Sequence, residues 1–250
     1  QGKQGMTFST QITMKLADDP ELMDLMVRAG FSAVFIGIES IDDASLAECN
    51  KRQNEKRDML ADIKRIQRAG MQVQGGFIVG FDHDTPSVFD RMAKFIEKSG
   101  IAVAMVGTLQ APAGTRLFER LRTEGRIRPD SSGDNADGRT NIVPTMGIET
   151  LENGYRDMMI RLYSPSTYYA RVRAFLREYR PGPSRAKLRG WHVVAFLRSL
   201  YFLGIVGKER FRYQGLLVWT LFHNPRAFPT AIILAISGYH LRLCMGATAA

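Results

Sequence analysis

Glu39 is the side chain in this sequence best placed to do chemistry. It directly follows Val34-Phe35-Ile36-Gly37-Ile38, an apolar run that predicts a buried strand, so its carboxylate leaves that strand at the mouth of a sheet. A carboxylate there can accept hydrogen bonds from a diol such as a ribose; equally, it can cap the next turn or pair with Lys51 or Arg52. Gly76-Phe77-Ile78-Val79-Gly80 puts glycines inside and at the exit of a second strand, where something flat can lie close to the backbone. The order of these glycines matches neither a dinucleotide fingerprint nor a phosphate loop. Asp82, His83 and Asp84 share one corner and imitate a metal site without any supporting ligand spacing; Asp84 is expected instead to cap a helix opening at Thr85-Pro86. His192, His223 and His240 have no paired spacing and read as packing or surface residues. The two cysteines, Cys49 and Cys244, lie far apart, which excludes a disulfide framework, suits a reducing compartment and leaves no cysteine-only metal site within the chain. No catalytic residue and no metal ligand is assigned from these residues.

The elements that hold these groups repeat. VRAG-FSAVFIGIES, QRAG-MQVQGGFIVGFDHD and EKSG-IAVAMVGTLQAPAG are three copies of a helix closed by glycine, a short apolar strand and a polar or glycine-rich corner. Strands joined through helices run parallel, and such sheets present their chemistry at the carboxyl ends of the strands. Glu39 and Ser40, Gly80 to Asp84, and Gln110 to Gly114 stand at those ends. An earlier strand is expected over Thr7 to Thr13, followed by a helix that Asp18-Asp19-Pro20-Glu21 starts well. Helices are expected around Ala44–Cys49 and Lys56–Ala69, strands over Gln72–Val79 and Ala102–Thr108, and a helix from Gly114-Thr115 to Gly125.

Beyond Gly125 the pattern changes. Pro129–Asn141 reads as a polar loop, exposed and mobile or else a flap over a site. From Ile148 the expectation is helical throughout, over 148–163, 165–180, 184–203, 208–223 and 225–243, punctuated by prolines. The expected domains are 1–128, a linker at 129–147, and a helical extension at 148–250. Within 164–180, Tyr168, Val172, Phe175, Leu176 and Tyr179 fall on one face, with Arg171, Arg173, Arg177 and Arg180 across the rest; this reads as a helix packed on a core, with membrane binding as the other option. The stretch GLLVWTLFHNPRAFPTAIILAISGY is broken at His223-Asn224-Pro225-Arg226. Neither half reaches the roughly 18–20 apolar residues of a spanning helix, so a monotopic hairpin or a buried helical pair is expected.

Charge divides along the chain. Residues 1–150 carry 19 Lys+Arg against 21 Asp+Glu, or −2, while residues 151–250 carry 15 against 4, or +11, together the net +9. The basic excess is either a solvated face or a contact with a polyanion such as anionic lipid. No recognisable nucleic-acid module accompanies it, so no nucleic-acid partner is expected. The opening QGKQGMTFST lacks the layout of a secretory signal. It reads as a cut through a longer protein, with Met6 as an alternative start.

TFSTQITMKLADDPEL, FIGIESIDDASLAECNKRQN, GGFIVGFDHDT and APAGTRLFERL together resemble the second half of a radical S-adenosylmethionine enzyme core, in the cobalamin-binding subgroup that includes hopanoid 2-methylases. The tail, through NIVPTM, STYYARVRAFL and FHNPRAFPTAIILAISGYH, resembles that subgroup's uncharacterised C-terminal extension. The resemblance implies an α/β fold, the C-terminal part of a partial (β/α)6 barrel (strands three to six), followed by the helical extension. It implies S-adenosylmethionine as cofactor, cleaved through a [4Fe-4S] cluster to a 5′-deoxyadenosyl radical, with cluster ligands and a cobalamin domain outside this chain. A cluster that leaves one iron open for the cofactor needs three thiolates, and this chain has two cysteines.

Residue by residue, the resemblance places Gln11 on the third barrel strand facing the cofactor, Glu39 at the ribose, and Lys51 near the methionine carboxylate. Gly76, Ile78 and Gly80 would lie along the adenine, although His83 stands where the longer motif ends in an acid. Ala111-Pro112-Ala113-Gly114-Thr115 matches the corner after strand six. The implied partners are an electron donor and an apolar, isoprenoid or lipid substrate, with peripheral membrane contact through residues 165–243 and a cytoplasmic location at the inner membrane face. Two other readings stand beside this one: a degenerate, non-catalytic barrel used as a binding module, and a peripheral membrane protein that works through its tail. An open sheet of this kind is also expected to expose a strand edge.

Overall fold

In a computed structural model, residues 7–128, 137–182 and 190–248 are described, with side chains to residue 243. Four strands, β1 (Phe8–Ile12), β2 (Phe31–Glu39), β3 (Gln72–Val79) and β4 (Ala104–Thr108), form one parallel sheet in that order. Between them lie α1 (Pro20–Ala29), α2 (Asp43–Glu48), α3 (Met59–Ala69) and α4 (Val88–Ser99). A fifth helix, α5 (Arg116–Thr123), follows β4. The extension comprises α6 (Ile148–Tyr163), α7 (Pro165–Glu178), α8 (Gly190–Tyr201), α9 (Arg210–His223) and α10 (Phe228–Thr248). This is the partial α/β barrel with a helical extension that the sequence predicts.

Local chemistry sets the boundaries. The Asp19 carboxylate accepts the Leu22 N–H at 2.8 Å and Pro20 fills the first turn, starting α1; Asp58 does the same for α3 through Ala61 at 3.0 Å. Gly100, at φ +73°, ends α4 in the left-handed region, and a Cβ on it would stand 2.8 Å from the Phe175 backbone nitrogen. Glycine is needed there both for the turn and for the close approach of α7.

The strands have two different faces. Val34, Ile36, Ile38, Val73, Phe77 and Val79 are buried against apolar residues of α1, α3 and α4. The opposite face carries Phe35, Gly37, Gln74, Gly76 and Ile78, all half-buried, and exposed Met105. Period-two alternation therefore separates a core face from an open one. The β4 edge is covered: Tyr155 Oη donates to Val106 O at 3.0 Å and Tyr163 Oη to Ala104 O at 2.6 Å, both from α6. The extension thus covers the β4 edge, whereas the edge expected to be exposed is that of β1, which pairs with β2 alone among the described strands.

The apolar face of α7 is buried as expected, but Arg171 is not on the solvated side. It is 1% exposed, donates to Leu162 O at 3.0 Å and Ala102 O at 3.2 Å, and lies 5.3 Å from the ring centres of both Tyr163 and Tyr168. Helices α9 and α10 pack on each other and on α7 as a helical pair. Asn224 between them donates to Leu176 O at 3.0 Å and Tyr179 O at 2.8 Å. Among the described residues no helix is long and apolar enough to cross a membrane.

Two expectations are corrected, and a third is only partly described. Asp84 does not cap a helix, since α4 begins at Val88 and its N-cap, Ser87, makes no side-chain cap bond; the Asp84 carboxylate is already engaged elsewhere. The polar stretch after Pro129 is not uniformly exposed. Residues 129–136 lie outside the described residues, but Thr140 and Asn141 are buried, and Ile127 and Ile142 form an antiparallel bridge. The expected helix over 184–203 starts at Gly190 among the described residues, residues 183–189 lying outside them. It runs into a π turn at Phe202–Val206.

Candidate functional site

Glu39 ends β2 with φ +65°, a left-handed conformation that costs a non-glycine residue about 1 kcal/mol. The ladder to β3 slips between Gly37 and Glu39, so Ile38 is an extra residue in β2. The turn folds the carboxylate back over Gly37, and Lys51 meets it there, Nζ to Oε1 at 3.0 Å. A Cβ on Gly37 would stand 2.5 Å from Glu39 Oε1 and 3.0 Å from Lys51 Nζ. Gly37 therefore provides the space in which an acid and a base lie against the open face of the sheet. Strain, slip and glycine coincide at the residue that sequence reasoning ranked first.

Asn54 supports this corner from below. It is 2% exposed, and its amide donates to Ile38 O at 3.3 Å and Gly37 O at 3.5 Å, while its Oδ1 is buried without a hydrogen-bond partner. Lys51 Nζ also reaches Gly37 O, at 3.4 Å. Next to Gly37 in the ladder is Gly76, so two glycines make a flat patch across two strands. The Phe35 ring lies over it, 2.9 Å from where a Gly76 Cβ would stand. Ile78 is on the same face, paired with Gly107 of β4.

The structure thus brings Glu39, Lys51, Gly76 and Ile78 to one end of one face. Gln11, exposed on β1, pairs with Phe35. Glu39 is four residues further along the neighbouring strand, or about 13 Å. Gly80 is buried off that face: its φ is +103° and a Cβ would meet Leu151 at 3.2 Å. Sequence reasoning missed Gly37, Asn54 and Phe35. The signals for the first two were a glycine inside a β-branched run and an asparagine closing the Lys51-Arg52-Gln53-Asn54 turn.

The Asp82-His83-Asp84 corner is built from hydrogen bonds and ion pairs. Asp84 accepts from Gly80 N at 2.9 Å, Phe81 N at 3.1 Å and Ser45 Oγ at 3.0 Å. Burial raises its pKa while those three donors oppose the rise. Arg120 bridges Glu48 and Asp82 at 3.2 and 2.8 Å, and Arg126 holds Asp82 from the other side. Burial opposes ionisation of Asp82, but the Arg126 hydrogen bond and charge prevail and hold its pKa below the ordinary value. Among the described residues no group of three or more His, Cys, Asp or Glu could hold a metal ion. Cys49, free and half-buried, has its thiol pKa raised by burial, as a packing residue would. Asp84→Ala should leave three buried donors unpaired and destabilise the protein by about 2–3 kcal/mol. Urea unfolding measures this, and an unchanged midpoint would contradict the assigned role.

Glu39, Lys51 and the two glycines thus stand together at the carboxyl ends of parallel strands, where α/β sheets commonly bind ligands. The chain belongs to the family described as a domain of unknown function, DUF4070, whose profile matches residues 115–249, from the α5 cap through the extension. It is similar to named methyltransferases. It is 34% identical over 242 residues to an uncharacterized methyltransferase of Synechocystis sp., covering 93% of this chain and 44% of that protein. It is 31% identical over 167 residues to the hopanoid C-2 methylase of Rhodopseudomonas palustris, covering 66% and 31% respectively. It is also 29% identical over 124 residues to the bacteriochlorophyllide d C-12(1)-methyltransferase of Chlorobaculum tepidum, covering 50% and 27%. The chain spans less than half the length of each of these relatives.

Proposed function

We propose that this chain is the nucleoside-binding part of a radical S-adenosylmethionine methyltransferase of the cobalamin-dependent kind, acting on an apolar substrate of isoprenoid or lipid type. The observation that carries the proposal is the Glu39–Lys51 pair at 3.0 Å above the Gly37–Gly76 patch. The methyltransferase names of the relatives support the reaction class.

The chain's residues fit the nucleoside end of the cofactor. Glu39 would accept hydrogen bonds from the two ribose hydroxyls and Lys51 would meet the methionine carboxylate, so a ligand exchanges their mutual ion pair for two charge-assisted contacts. The adenine would lie along Gly76 and Ile78, stacking on the Phe35 ring or displacing it. Gln11 would face the cofactor from the neighbouring strand. Asn54, fixed to the backbone at Gly37 and Ile38, would keep the strained turn in register. When bound and reduced through an iron–sulfur cluster, the cofactor supplies the radical that opens an unactivated C–H bond, and cobalamin supplies the methyl group. The cluster ligands and the cobalamin domain are assigned outside this chain, with an electron donor as partner.

The test uses the full protein that carries this chain, reconstituted anaerobically with iron, sulfide and cobalamin. Reduction in the presence of S-adenosylmethionine should release 5′-deoxyadenosine. No release with any low-potential donor, from protein shown to hold its cluster, would overturn the proposal.

A further inference from the structure

Helix α8 carries a row of apolar residues on its outer side. Trp191, Val194, Leu197 and Tyr201 are all exposed, Trp191 to 62%, and Ile205 of the π turn continues the stripe. At about 100° per residue these positions share one arc with Arg198. The inner side holds buried Ser199, bonded to Tyr213 Oη at 2.8 Å, together with half-buried Phe196 and Leu200 packed against the core. A surface helix normally keeps its outer side polar. On α9, Phe211 and Phe222 are 74% and 82% exposed, and Val218 lies between them on the same side. Isolated exposed apolar residues need no explanation, but rows of them on two successive helices do.

Charge indicates what covers this surface. Between Gly190 and Leu243 the sequence holds Arg198, Lys208, Arg210, Arg212, Arg226 and Arg242 but one acid, Glu209. Glu209 is buried, with both its oxygens bonded to Arg242. The described surface of these helices thus shows cations and apolar side chains and no carboxylate. A second copy of the chain would set like charges against each other across a symmetric contact.

We propose that the outer face of α8 and α9 lies in the headgroup layer of an anionic phospholipid bilayer. Leu197, Ile205, Phe211 and Phe222 enter the acyl boundary, and Trp191 and Tyr201 sit at headgroup level. Arg198, Lys208, Arg210 and Arg212 meet the phosphates. No helix among the described residues is long and apolar enough to cross a membrane, so the contact is in the plane of the interface.

The full protein is tested by flotation with vesicles of phosphatidylcholine alone and of phosphatidylcholine mixed with phosphatidylglycerol. It should float with the anionic vesicles, less so at high salt, and not with neutral ones; the tryptophan emission should shift to the blue on binding, and Trp191→Phe should remove that shift. Leu197→Glu with Ile205→Glu changes only exposed residues. It should keep the wild-type circular dichroism and melting temperature while vesicle binding weakens at least about tenfold. Three results would each overturn the proposal: no binding to anionic vesicles at any salt, undiminished binding by the double variant, or a dimer in light scattering that the double variant dissolves.

Discussion

Arg171→Ala should destabilise the protein by about 3–5 kcal/mol, the largest effect expected of a single substitution away from the candidate site. The guanidinium joins α7, which carries it, to the last turn of α6 through Leu162 O and to the segment just before β4 through Ala102 O. It lies beside the stacked Tyr163 and Tyr168 rings, 5.3 Å from each ring centre, and their negative faces offset part of the cost of burying a charge. Burial is the main influence on its pKa, which it lowers. Truncation leaves two buried carbonyls unpaired and a cavity beside two aromatic rings. Arg171→Met keeps the stem volume and should lose less than the alanine variant. Urea unfolding of both variants decides the matter, and a wild-type midpoint for Arg171→Ala would show that Arg171 does not hold the extension to the sheet.

Glu39→Gly should separate stability from binding. Glycine takes the positive φ at residue 39 without strain, and the lost ion pair with Lys51 is partly solvated and contributes little. Stability should therefore stay level or rise by up to about 1 kcal/mol. S-adenosylmethionine affinity should fall by the roughly 1.5–3 kcal/mol of a charged hydrogen bond, about ten- to 150-fold. Thermal melting and equilibrium binding on the full protein test both halves. A destabilised variant with unchanged affinity would return Glu39 to a turn-capping role.

Much of the fold could be read in the sequence because its signals are local. The helix–glycine–strand repeat, the aspartate caps at Asp19 and Asp58, and the apolar runs all act within a few residues. The candidate site was legible as far as Glu39, since a carboxylate directly after a buried strand is a local anomaly. Its setting was not. That Ile38 is an extra residue in the β2 ladder, that Gly37 makes room for two charged groups, and that Phe35 covers Gly76 all depend on pairing with β3. Asp84 was misread for a similar reason: its three donors come from Gly80, Phe81 and Ser45, and the last is on another element. Arg171 was missed because helical periodicity places it beside the apolar stripe of α7 without showing that α6 and the segment before β4 close over it.

The proposed function turns on a nucleoside binding at the open end of the β2–β3 face. Hydrogen–deuterium exchange on the reconstituted full protein, with and without S-adenosylmethionine, tests it most directly. Protection is predicted at residues 37–40, 51–54 and 76–79, with little change in α8 to α10. Saturating cofactor that leaves these three segments unchanged would contradict the claim.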